Sequence, residues 1–324
     1  MDSVRKILVI QTAFLGDVIL ATPVASELKR IFPAASIDFI VKKGNETLLH
    51  NNPNLRYVIA LDKSKGKWRA ILQLIKQLRS QKYDLVLNLH RFGSSGIVTT
   101  FSGGKLKYGF SKNPFSLFYT KSFPHSIGKN QHEVSRNLSI ISEFGAVESK
   151  RPELYPSPAN FDRIKEFSNG IFFCMAPASV WYTKQLPIGK WVELVKQKSK
   201  SGKIYLLGGK ADQELCAEIL KLSGVPNAEN LAGELNLLES AALISKAKRT
   251  FVNDSGPLHI ASAMNAPVTA FFCSTVPQFG FGPLSDDSEI QEVSDLDCRP
   301  CGLHGFKTCP KGHFKCGKGI QINE

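Results

Sequence analysis

The stretch Phe251-Val-Asn-Asp254-Ser255-Gly256-Pro257-Leu-His259-Ile-Ala-Ser-Ala263 decides the fold. Thr250–Val252 reads as a short strand buried on both faces, followed by a polar turn and then a helical run. Asp254 or Ser255 suits the cap of that helix, Gly256 lets a ligand approach the backbone, and Pro257 suits the first helical position. Free amides at such a helix start, at the positive end of its dipole, form an anion site to which His259 adds a donor. Read alone, the stretch fits an ordinary capped helix with a partly buried histidine equally well.

The same strand-turn-helix unit recurs along the chain. Lys6–Gln11 is a continuous apolar run, followed by a helix predicted from Asp17 to Ile31 with Val18, Val24, Leu28 and Ile31 on one side. Ile37–Val41 reads as a second strand and Leu85–Leu89 as another. Between them Trp68, Ile71, Leu72, Ile75 and Leu78 recur at helical spacing, which predicts a core face. Prolines at 152, 156 and 158 mark a linker. The pattern then restarts with strands at Ile171–Ala176 and Ile204–Leu207, and helices from about Ile188, near Ala211–Leu222 and near Leu237–Lys246. The helix after Pro257 and a strand at Val268–Phe272 follow. Repeated βα units predict two doubly wound α/β domains, 1–155 and 156–324, with ligands at the carboxyl ends of their strands.

Several turns in this pattern carry chemistry. Leu15-Gly16-Asp17-Val18 follows the first strand; Asp17 reads as a helix cap or as a general base. Neither the G-x-G-x-x-G fingerprint nor a Walker A sequence is present. Ala176-Pro-Ala-Ser179-Val-Trp-Tyr-Thr183-Lys184 places two hydroxyls and an ammonium after a strand; Lys184 is a phosphate clamp or a solvated surface lysine. Leu207-Gly208-Gly209-Lys-Ala-Asp212 is again strand then glycines, with Asp212 available to ribose hydroxyls. With Asp254, three such turns converge on one rim of the second domain, which predicts a nucleotide-diphosphate site. His90-Arg91, after Leu85–Leu89, either meets anionic groups of a second substrate or only solvates a loop. Asp295-Leu-Asp297 lies outside any core strand and reads as a surface loop.

Composition bounds the function. The 324 residues are 43% hydrophobic, enough for two cores, and no run of about 18 apolar residues predicts a membrane span. The N-terminus lacks a signal-peptide pattern, so a cytoplasmic chain is expected. A formal charge of +13 implies an acidic partner. The cations are scattered, with small clusters at Lys42-Lys43, Lys63 to Lys67 and Lys196 to Lys203. No nucleic-acid signature accompanies them, so nucleic acid is the least favoured partner.

The pairing of the L-G-D-V turn with N-D-S-G-P-L-H-I-A-S-A resembles glycosyltransferase family 9, the ADP-heptose:lipopolysaccharide heptosyltransferases. The Ser179–Lys184 loop, Gly208-Gly209 and Leu231-Ala-Gly233 extend the resemblance over most of the chain. The tail Cys298-Arg-Pro-Cys301 with Cys309-Pro-Lys-Gly-His313-Phe-Lys-Cys316 is most similar to the branch containing the second heptosyltransferase. The resemblance implies a GT-B fold, two Rossmann-like domains facing a cleft, with the acceptor in the first and the nucleotide sugar in the second. It implies inverting transfer with Asp17 as base. Ser179, Thr183, Lys184, Gly208, Gly209, Asp212, Asp254, Ser255, Gly256 and His259 would bind the donor, ADP-heptose, and no catalytic cofactor is required. His90 and Arg91 would meet an anionic, lipid-linked saccharide, with peripheral contact at the inner face of the membrane. Two other readings stand beside it: the same fold using a different nucleotide sugar, and a non-catalytic nucleotide-binding or metal-stabilised interaction protein in which Asp17 only caps.

Cys298, Cys301, Cys309 and Cys316 are four of the chain's seven cysteines, at C-x2-C-x7-C-x6-C spacing. In a reducing compartment such clustering points to metal or redox chemistry, and zinc suits four thiolates in a closed structural site. The rival reading is a set of reduced thiols packed against the second domain; the resemblance does not decide between them.

Overall fold

Short apolar runs alternating with amphipathic helices build two units, Met1–Tyr155 and Pro156–Glu324. The structure, a computed structural model, describes residues 4–64, 66–128, 130–148 and 151–322.

In the first unit the order is β1 (Lys6–Ile10), α1 (Leu15–Ile19), α2 (Thr22–Ile31), β2 (Ser36–Lys42), β3 (Tyr57–Leu61) and α3 (Lys67–Gln81). There follow β4 (Leu85–Asn88), α4 (Gly93–Phe101), β5 (Leu106–Phe110), β6 (Lys121–Phe123) and α5 (Glu133–Ser139). The sheet runs β3-β2-β1-β4-β5-β6 with every pair parallel. Ile7 to Ile10 are fully buried, as a central parallel strand covered on both faces requires. The chain leaves β1 towards β2 on one side and reaches β4 on the other, so the strand order reverses between β1 and β4.

Two expectations fail here for local reasons. The single helix expected over Asp17–Ile31 is two, because Pro23 has no N–H to continue the ladder and sits in the first turn of α2. The Thr22 hydroxyl donates to the carbonyl of Ile19, 2.8 Å away, at the break. In α3 the core face is Ile71, Leu74, Ile75 and Leu78, whereas Trp68 and Leu72 are 60% and 66% exposed. Both expected core residues lie on the solvent side of that helix.

The second unit contains α6 (Pro158–Arg163), β7 (Phe172–Ala176), α7 (Ile188–Lys198), β8 (Lys203–Leu206), α8 (Gln213–Ser223) and β9 (Ala228–Asn230). It continues with α9 (Leu237–Lys246), β10 (Arg249–Asn253), α10 (Gly256–Ala263), β11 (Val268–Phe272), β12 (Ser288–Glu292) and the short α11 (Lys315–Lys318). The strand order β12-β11-β10-β7-β8-β9, again all parallel, reverses between β7 and β10. Its core gathers Phe173, Met175, Trp191, Leu194, Ile204 and Phe271, and the tail returns Phe314, Cys316 and Ile320 into it. Each unit therefore opens its own crevice at a reversal of strand order, where open α/β sheets bind ligands. Among the described residues no helix is long and apolar enough to cross a membrane.

Candidate active site

Asp17 stands at the first of these reversals. β1 ends in the turn Gln11–Phe14, and Asp17 falls in the first turn of α1, where its Oδ2 accepts the Phe14 amide at 3.2 Å. The neighbouring strand supplies the other wall: the Leu89 amide donates to Ile10 O at 3.0 Å, and Thr12 Oγ1 lies 2.9 Å from His90 Nδ1. Asp17 keeps some solvent contact yet sits in a dense protein surround. Burial pushes its carboxyl from an ordinary 3.8 up to about 6, and the carboxylate of Glu133 adds to the rise. The Phe14 amide and the Arg91 guanidinium oppose it. A carboxyl poised in this range is ionised at neutral pH yet a better proton acceptor than a solvated aspartate.

The Glu133 carboxylate lies in a buried group that no motif announces. Arg136 Nε donates to Glu133 Oε2 at 2.6 Å, and His125 Nε2 lies 3.3 Å from Glu133 Oε1. Burial alone would raise Glu133; the bonds and charges of His125 and Arg136 outweigh it and hold the carboxyl low. It therefore presents a fixed negative charge to Asp17. His90 differs from its expected role: burial first, then the charges of Lys63 and Arg91, lower its pKa to about 4. At neutral pH it is an uncharged hydrogen-bonding group. Positive charge on this side comes instead from Arg91 and from Lys63, which donates to Ser94 Oγ at 3.2 Å.

At the second reversal, Asn253 ties the two loops together. Its Nδ2 donates to Pro177 O at 2.7 Å and its Oδ1 accepts the Leu186 amide at 2.9 Å, so the Ser179–Lys184 loop is fixed to the end of β10. Asp254 does not cap α10. It is buried, accepts the Thr275 hydroxyl at 2.6 Å, and holds Lys184 Nζ at 2.7 Å. Ser255 occupies the cap position without a side-chain cap bond, its hydroxyl 3.4 Å from Asn253 O. Among the described residues no acceptor takes the amides of Ser255 or Gly256, and Pro257 has none to offer. Two open amides at the positive end of a helix dipole have the chemistry to receive an anion, while the Lys184 ammonium is paired with Asp254. His259 is buried in the first turn of α10 with its ring 6.4 Å from that of Phe281.

Other expected donor residues are placed differently. The Thr183 hydroxyl is fully buried, accepting from Ser274 Oγ at 2.9 Å and from the Phe306 amide at 2.8 Å. It joins the Lys184 loop to the tail rather than facing a ligand. Asp212 Oδ2 accepts the Gly209 amide at 2.8 Å, and a Cβ at Gly208 would lie 2.7 Å from that of Asp212. The glycine thus has an internal reason to be there, and one oxygen of Asp212 is engaged in the turn instead of turning outward. Ser179 is half-buried, its carbonyl accepting Gln185 Nε2 at 2.6 Å. Asp295 and Asp297 are exposed in the loop after β12.

The tail packs directly behind Lys184. The Thr183 amide donates to Phe306 O at 3.1 Å, and Gly305, at φ +78°, leaves no room for a Cβ, which would lie 2.9 Å from Lys184 Cγ. Arg299 spans the carbonyls of Phe272, Cys273, Thr275 and Val293 and pairs with Glu292. All seven cysteines are free thiols. Cys298 Sγ lies 4.0 Å from His313 Nε2, and Cys301 Sγ lies 3.0 Å from Cys298 O. Burial, then the neighbouring Cys301, Cys309 and Cys298, push the Cys316 thiol up to about 11. Among the described residues no three His, Cys, Asp or Glu side chains stand arranged to hold a metal ion.

Known proteins share this architecture. The lipopolysaccharide heptosyltransferase 3 of Escherichia coli is 28% identical over 278 residues, covering 81% of this chain and 82% of its own. The solved structure of E. coli ADP-heptose lps heptosyltransferase II superposes with a TM-score of 0.77 at 23% identity, covering 91% of this chain and 95% of that one. An E. coli heptosyltransferase solved with ADP gives 0.75 at 21% identity, over 88% and 92%. The two Rossmann-like units are those of the GT-B fold class. The sequence profile of Glycosyltransferase family 9 (heptosyltransferase) matches residues 71–308, most of the chain, and to that family this protein belongs.

Proposed function

We propose that the chain transfers a heptose from ADP-heptose to a lipopolysaccharide-core acceptor, inverting the anomeric centre and using no catalytic metal. Family membership and the substrates named for its relatives support the sugar and the acceptor class. The observation that carries the chemistry is Asp17, a carboxyl raised to about 6 at the strand reversal of the first unit. The acceptor hydroxyl gives its proton to Asp17 as its oxygen attacks the anomeric carbon. The C–O bond to the nucleotide diphosphate breaks on the opposite face. A diphosphate leaves without a proton, so one base suffices. Charge on the leaving group falls to the second unit: Lys184 and the open amides of Ser255 and Gly256 supply the fixed positive field that a metal ion would otherwise supply.

In this reading the first unit binds the acceptor and the second the donor. Arg91 and Lys63 meet the acceptor's anionic groups, with His90 as a neutral partner, on the cytoplasmic face of the inner membrane. The deciding experiment compares transfer and donor hydrolysis by wild type and Asp17→Asn, alongside calorimetric titration of ADP-sugars and UDP-sugars. Nucleotide binding without turnover in either protein would favour a binding protein in which Asp17 only fixes the α1 turn, a role that its bond to the Phe14 amide also supports.

For the tail the proposal is a structural zinc. All four cysteines lie in the tail, where Cys316 is buried in the core of the second unit, Cys309 packs against that core and Cys301 Sγ lies 3.0 Å from Cys298 O. Binding requires them to close from their present arrangement and release their protons to solvent as the metal takes the thiolates. Elemental analysis of protein purified without added metal then finds about one zinc per chain. Four freely titrating thiols and no zinc overturn it.

A further inference from the structure

The exposed face of α3 is unlike the rest of the first unit. Its sequence, KWRAILQLIKQLRSQ, contains no Asp or Glu. Ile71, Leu74, Ile75 and Leu78 pack inward, the outward side carries the exposed cations Arg69, Lys76 and Arg79 around Trp68 and Leu72, and Lys67 is exposed at the helix start. Residues four apart adjoin on a helix, so Trp68 and Leu72 form one apolar ridge. Lys67 Nζ lies 5.2 Å from the Trp68 ring centre. Among the described residues none of these four cations is in an ion pair. Just before the helix, burial and then the charges of Lys67 and Lys42 depress the ammonium of Lys63.

A single exposed apolar residue needs no explanation, but an indole beside a leucine within an acid-free cationic field does. Trp prefers the boundary between headgroups and acyl chains, and clustered Lys and Arg gain from anionic lipid. A second copy of this chain would set the same cations against each other, and a nucleic acid has no use for Leu72. We propose that the exposed face of α3 docks the first unit on an anionic lipid bilayer, with Trp68 and Leu72 entering the headgroup boundary and the four cations facing lipid phosphates. The lipid-linked acceptor proposed above gives this docking its purpose, but the docking is measurable without it.

The test is flotation of the full chain with vesicles of phosphatidylcholine containing 30% phosphatidylglycerol (roughly the anionic content that gives a negative surface potential), against phosphatidylcholine alone. Wild type should float with the anionic vesicles only, and release as salt rises. Each of Lys67→Gln, Arg69→Gln and Lys76→Gln should weaken partition by about fivefold, and Trp68→Ser with Leu72→Ser by about tenfold or more. Emission of the wild type should shift to the blue on binding, and Trp68→Phe should abolish that shift. The Trp68/Leu72 variant should keep its melting temperature and its rate on a water-soluble, lipid-free acceptor, and lose rate on acceptor held in vesicles. Binding unchanged in all the variants, equal binding to neutral vesicles, or wild-type dimers that the Trp68/Leu72 variant dissolves would overturn it. Docking without any transfer would leave the proposal standing and sink the proposed function instead.

Discussion

Replacing Asp17 by asparagine should make the protein more stable and less active at once, and the pH dependence of the stability gain follows from the structure. The folded carboxyl holds its proton up to about pH 6, whereas an unperturbed one releases it near 3.8. Between those values the folded state binds more protons than the unfolded, so stability falls as pH rises through that window. Above it the full cost of the buried charge remains; below about 4 it vanishes. At 1.36 kcal/mol per unit the cost is at most about 3 kcal/mol, the residual solvent contact of Asp17 reducing it. The amide of an asparagine at this position cannot ionise and escapes that cost. Thermal melts of wild type and Asp17→Asn across pH 4 to 8 should show the variant ahead at pH 8, by up to roughly 6 to 12 °C in the transition of the first unit, with the gap closing towards pH 4. Its transfer rate should fall by roughly 10²–10⁴-fold, while wild-type kcat/KM declines below about pH 6 with its base. A gap that is absent at pH 8, or equal at pH 4 and pH 8, would refute the account of Asp17's environment.

Four further outcomes are expected. Lys184→Ala should weaken ADP binding about tenfold to a hundredfold and adenosine binding far less, because the loss falls on the diphosphate and leaves Asp254 as an unpaired negative charge beside it; equal losses in calorimetry would move Lys184 away from the phosphates. EDTA should leave transfer intact, and full inhibition reversed by magnesium would contradict the roles given to Lys184 and the α10 amides. Thr183→Val should cost about 1–3 kcal/mol in urea unfolding and raise the KM for the donor, since it strands the Ser274 hydroxyl and the Phe306 amide. Tyr83→Phe should cost about 1.5–3 kcal/mol by removing the 2.6 Å bond to the buried Asp38 carboxylate, without touching kcat.

Much of this molecule was legible in one dimension. A parallel strand covered on both faces has to be apolar throughout, so Ile7–Ile10, Leu85–Leu87 and Val268–Phe272 announced themselves. Asp17, Lys184 and the α10 start were legible because a βα turn places whatever follows a strand at the carboxyl edge of its sheet. The edge strands β3, β6, β9 and β12 were not legible, being covered less completely, and the inner strand β5 was obscured by its lysine and glycine. Helical spacing could name the apolar residues of α3 but not the side facing the sheet, so Trp68 and Leu72 were misplaced. Contacts between distant segments were hidden altogether. Asp38 sits in an apolar strand because Arg56 reaches it at 2.6 and 2.9 Å. Glu133 sets the charge beside Asp17 from another helix, and Thr183 is spent on the tail. Local sequence determines which residues lie at a strand's end, because backbone periodicity and turn chemistry act over a few residues. Which hydroxyl is buried, which carboxylate is paired and which pKa moves depends on groups brought together from far along the chain, and only the tertiary structure decides that.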